Sequence, residues 1–89
     1  MKGMVYKVEE YKVCITPQTL YKLGGEVRVW DTPRCLADGG KLIDIITEPV
    51  EAFTTEEQPE IFGTGLQRVK IRYGNYKEGW VLHEAVERV

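Results

Sequence analysis

The chain has 89 residues, 43% hydrophobic and 29% charged, with a net charge of −2. That length suits one small domain, and the composition is globular rather than disordered. The slight acidity supplies no whole-protein attraction to nucleic acid or anionic lipid. No apolar run approaches the roughly 20 residues that span a bilayer, and the first ten residues hold no signal-peptide apolar block. The expected location is cytoplasmic, without membrane association.

In chain order, residues 5–8 and 11–16 read as two short strands, with Glu9-Glu10 as the turn between them. In the second, Tyr11, Val13 and Ile15 alternate with Lys12, Cys14 and Thr16. Pro17 brings no N–H to a ladder and ends regular pairing. Residues 18–23 fit one helical turn or a short strand, and Gly24-Gly25 is a break.

Residues 26–30 form the next strand, with Val27 and Val29 on one face. Residues 34–41, which contain Asp38-Gly39-Gly40, read as a loop. Residues 42–46 are nearly all apolar and suit a strand buried on both sides; residues 50–54 resume strand character. Residues 55–65 hold Glu56, Glu57, Glu60, Pro59 and two glycines, and are expected to form a long exposed acidic loop from which Ile61 and Phe62 dip to the core.

The strongest pattern runs from Arg68 to Leu82. Val69, Ile71 and Tyr73 point one way, and Arg68, Lys70 and Arg72 the other. Gly74-Asn75 makes the turn, and the chain returns through Gly79-Trp80-Val81-Leu82. His83-Glu84-Ala85-Val86 fits a 3₁₀ turn, and residues 86–89 a short closing strand. Many short strands with Gly and Pro punctuation predict a single all-β domain, a sandwich or small barrel.

Two segments together resemble the bacterial SH3-like (SH3b) domain family. Val27-Arg28-Val29-Trp30-Asp31-Thr32-Pro33 is similar to the family's opening strand and loop, with Trp30 where an arginine is usual. Val69-Lys70-Ile71-Arg72-Tyr73 followed by Gly79-Trp80-Val81 resembles its closing hairpin. Pro49, near where the family carries a glycine, and the long stretch 54–67 depart from the pattern. The resemblance implies an SH3-like barrel over residues 25–89; residues 1–24, which it does not cover, are expected to form an N-terminal β extension of the same domain. It also implies a binding module, such as those that hold bacterial cell-wall hydrolases on their peptide or peptidoglycan targets; the absent signal sequence speaks against a wall role.

The chemistry-bearing residues do not assemble into a catalytic set. His83 is the single histidine, and neither Cys14 nor Cys35 stands in a metal or redox spacing; two unpaired thiols are expected, a disulfide being the alternative. The glutamates at 48, 51, 56, 57 and 60 lack calcium-loop spacing, and Asp38-Gly39-Gly40 lacks the helix and lysine of a phosphate loop. No enzyme activity, cofactor or metal is expected.

Three binding readings follow. The first is a protein or peptide ligand held by Trp30, Tyr73 and Tyr76, with acidic Glu56 and Glu57 selecting basic partners. The second is nucleic acid on the Arg68, Lys70, Arg72 ladder, whose charges recur at about 7 Å along a strand; cross-pairing with neighbouring glutamates is its ordinary alternative. The third is a homodimer made through strand edges.

Overall fold

The computed structural model describes residues 5–33, 40–60 and 65–89. Their elements are β1 (Tyr6–Ile15), α1 (Pro17–Lys22), β2 (Val27–Trp30), β3 (Leu42–Ile46), β4 (Val50–Pro59), β5 (Leu66–Tyr73), β6 (Lys77–Leu82), a 3₁₀ turn (His83–Ala85) and β7 (Glu87–Arg88). The strands form one antiparallel sheet in the order β3-β2-β6-β5-β4-β1-β7. The sheet is open: β3 and β7 are its two edges. Among the described residues, no helix is long and apolar enough to cross a membrane.

Among the described residues, one apolar cluster holds the sheet together. Val13 and Ile15 of β1 share it with Val27 and Val29 of β2, Ile46 of β3, and Val69 and Ile71 of β5. Strands that far apart in the sheet order reach a common core only if the sheet curls around it, as the right-handed twist of strands favours. Leu20 of α1 and Ala85 of the 3₁₀ turn join the same cluster.

Several expectations from the sequence are corrected. Residues 6–15 are one strand, not two. Between Lys7 and Tyr11 the register with β4 shifts, so Glu9-Glu10 sits in a bulge within β1 rather than in a turn. Pro17 does not merely stop a strand; it opens α1, where a missing N–H costs nothing. Thr16 caps that helix: its hydroxyl accepts from the Thr19 N–H at 3.2 Å, and the Thr16 N–H donates to the Thr19 hydroxyl at 3.0 Å. Gly24 and Gly25 follow with φ of 80° and 91°, a left-handed turn that suits residues without a Cβ.

The apolar strand β3 is not buried on both sides. It is an edge, and Leu42, Ile43 and Ile45 are exposed. The acidic stretch 55–59 is not a loop. It is the second half of β4, paired to β5 through Glu56↔Lys70, Glu57↔Val69 and Gln58↔Arg68. The 3₁₀ turn and the hairpin of β5 and β6 stand where the sequence predicts them. Cys14 is a free, half-buried thiol on β1; Cys35, Asp38, Gly39, Ile61 and Phe62 lie outside the described residues.

Gly79 sets how closely β2 approaches β6. A Cβ there would lie 3.1 Å from the Trp30 carbonyl oxygen and would run into the Val29 side chain. The strand pair therefore closes only over a residue with no side chain.

Candidate functional site

The alternation of β2 begins the site. Val27 and Val29 enter the core, which turns Arg28 and Trp30 to the other face. Trp30 stands across from Trp80 of β6, and Trp80 in turn stands across from Lys70 of β5. Directly paired residues share a face, so these three form a row on the side of the sheet opposite Val69 and Val81. Trp80 is only 4% exposed yet lies outside the main core cluster.

Beside this row the surface folds into a cleft of about 610 Å³. Its apolar lining comes from Trp30 and Val27 of β2, Leu23 after α1, Leu82 at the end of β6, and Ala85 of the 3₁₀ turn. Gly24 contributes backbone. Three charged residues also line it: Glu26, Arg28 and Arg68. Arg28 Nε donates to Glu26 Oε2 at 3.2 Å. An apolar lining with a few polar groups, in this size range, is the usual make-up of a ligand site.

Of the aromatic residues expected at the site, Trp30 alone lines this cleft. Tyr73 is buried in the core, because its position on β5 continues the Val69 and Ile71 face. Its hydroxyl donates to Asp44 Oδ2 at 2.6 Å. Burial, and then the hydrogen bond to the Asp44 carboxylate, push the Tyr73 phenol well above its ordinary value. The Tyr73 hydroxyl, the Ile45 N–H at 2.8 Å and Lys77 at 3.7 Å together hold the Asp44 carboxyl below the usual carboxylate range. Tyr76 stands in the β5–β6 turn, 90% exposed and with φ of 60°.

Glu56 and Glu57 are half-buried on β4 and do not line the cleft. Lys70 Nζ lies 3.3 Å from Glu56 Oε2 and 3.8 Å from Glu78 Oε1. Glu57 accepts the Tyr11 hydroxyl proton, and burial followed by this carboxylate raises the Tyr11 phenol. The cross-strand pairing of the basic ladder is thus largely realised. Arg72 forks onto Glu10 with contacts of 2.9 and 2.6 Å and lies over the Phe53 ring at 5.5 Å. That fork holds the Glu10 carboxyl below its ordinary range. Arg68 differs from the other two in lining the cleft.

Leu23, Gly24, Glu26, Val27, Arg28, Leu82 and Ala85 are the lining residues that sequence reasoning missed. One signal for two of them was present: Glu26, Arg28 and Trp30 alternate with Val27 and Val29, so they share the face turned away from the core. His83 is exposed at the head of the 3₁₀ turn. Among the described residues no three His, Cys, Asp or Glu side chains converge as metal ligands. No family model matches this chain, and no curated protein or solved structure does either.

Proposed function

We propose that the domain is a non-catalytic binding module that takes a short peptide segment of another protein into the Trp30 cleft. The observation that carries this reading is the cleft itself, where a half-buried tryptophan sits beside aliphatic side chains with charged groups around them. Large aromatics next to loops and strand ends are what extended peptides use as docking surfaces. Tyr73 drops out of the binding set because its ring is in the core, and Tyr76 because it stands at the hairpin turn and not on the cleft.

The finer fold reading is an SH3-like barrel related to the SH3b family. What supports it is the β5–β6 hairpin, formed by the segments that resemble the family's closing hairpin, with the 3₁₀ turn directly after it. β1 adds a strand between β4 and β7. Peptide binding beside β2 is in keeping with such a barrel, although fold alone is a weak warrant for function.

The test is an amide NMR titration of the labelled protein with a mixed pool of capped hexapeptides. Each peptide carries one central leucine, phenylalanine or tyrosine. Shifts concentrated at Val27, Trp30, Leu82 and Ala85 are expected. A pool that leaves those signals unmoved at millimolar concentration overturns the reading.

A further inference from the structure

We propose that the β3 edge joins a second copy of this chain, so that two sheets meet antiparallel, β3 beside β3, in a two-fold dimer. The contact lies away from the Trp30 cleft and stands independently of what the cleft binds.

Among the described residues, the two edges of the sheet are unlike. β7 is Glu87–Arg88, the short, charged kind of edge that does not recruit another strand. β3 is Leu42–Ile46, with one charge in five residues. Leu42, Ile43 and Ile45 are 45%, 49% and 42% exposed. Apolar side chains along an unpaired edge make a template for a further strand. The charge at the middle of β3 is already compensated. Asp44 stands across from Val29, on the core face, where the Tyr73 hydroxyl and Lys77 engage it. An incoming strand therefore meets no bare carboxylate. Asp44 Oδ1 also takes the Ile45 N–H at 2.8 Å, so the joint rests on side chains more than on a full ladder.

The charges at the two ends of the strand pick the second copy as the occupant. Lys41 precedes β3 and Glu48 follows it, and both are exposed. Among the described residues, neither is in an ion pair. Antiparallel pairing reverses one copy against the other, which sets Lys41 of each beside Glu48 of its mate. Opposite charges across a strand pair are favourable, and a parallel alignment would set like charges together. The edge is thus complementary to itself, as a two-fold contact requires. The blunt β7 edge keeps the dimer from growing into a filament. A standard interface buries about 800 Å² per partner; a single short strand edge offers roughly half of that, which suits a dissociation constant on the order of 100 μM.

Sedimentation equilibrium of the full chain, from micromolar to millimolar concentration, tests the proposal. The wild type is expected to pass from monomer to dimer across that range. Lys41→Glu and Glu48→Lys are each expected to weaken the dimer about tenfold, because each sets like charges together at both ends of the joint. The double variant is expected to return to within about threefold of the wild type, because its charges are opposite again. Both side chains are exposed, so these swaps keep the fold. Ile45→Lys, at an exposed position on the edge itself, is expected to leave only monomer. A wild-type chain that stays monomeric at millimolar concentration overturns the proposal. So does a dimer that ignores the single swaps, or a double variant as weak as either of them.

Discussion

Trp30 stands directly across from Trp80, and through this pair β2 joins β6. One tryptophan lines the cleft and the other is 4% exposed beside it. They therefore report separately on ligand and on fold. In Trp80→Phe, which keeps Trp30, peptide binding is expected to shift the emission and to protect it from acrylamide. In Trp30→Phe, which keeps Trp80, the emission is expected to be blue, poorly quenched and indifferent to peptide. A ligand response carried by Trp80 would place the site elsewhere.

Gly79 is the most restrictive position in the seam. Because an added Cβ meets Val29 and the Trp30 carbonyl, Gly79→Ala has to push β2 away from β6. The expected loss is about 2 kcal/mol, or roughly 10 °C in Tm for a domain of this size. Thermal unfolding followed by circular dichroism checks it; an unchanged Tm would mean that the strands approach less closely than described.

Tyr76 supplies the opposite sign. It holds a left-handed backbone at φ 60° while its ring is 90% exposed, so it strains the turn and packs little. Asparagine tolerates that backbone far better. Tyr76→Asn is expected to raise stability by about 1 kcal/mol, with peptide affinity unchanged. Urea unfolding reads the first effect, and the peptide titration reads the second.

The link from Tyr73 to Asp44 ties the β3 edge to β5 across the core side of the sheet. Asp44's carboxyl is lowered in the fold, so its stabilisation is present above the ordinary carboxyl value of 3.8 and is lost as pH falls through the lower folded value. The Tyr73 phenol is raised, so its share is present below the ordinary value of 10.0 and is lost as pH climbs through the folded value. Tyr73→Phe is expected to cost about 1 kcal/mol at pH 7. Urea unfolding of both proteins should show that gap narrowing below pH 4. A gap independent of pH would assign the loss to packing.

The parts of the fold that local pattern controls are readable from the sequence. Val69, Ile71 and Tyr73 alternate with Arg68, Lys70 and Arg72, and β5 is where that period puts it. The misread parts are those where a distant partner decides. Residues 55–59 look like loop because isolated glutamates favour water; on β4, Lys70 and Tyr11 receive Glu56 and Glu57 and the strand continues. The apolar run 42–46 looks interior, but nothing in composition says that its strand ends up at an edge. The Thr16-Pro17 pair is a legible helix start, and it decides between the two readings of residues 18–23 in favour of the helical turn. The cleft draws on α1's exit, β2, β5, β6 and the 3₁₀ turn, and no local pattern joins those five segments.

The placement of β1 has a kinetic consequence. Its neighbours are β4 and β7, with Val13 facing Ala52 on one side and Arg88 on the other. The hairpins of β4, β5 and β6 close over short loops, whereas β1 must hold its strand unpaired until those remote partners have formed. Entropy of loop closure makes such long-range pairing late and slow. Stopped-flow refolding should therefore show Val13→Ala hastening unfolding while leaving the folding rate nearly unchanged, and Val69→Ala slowing folding. The reverse assignment would make β1 the nucleus.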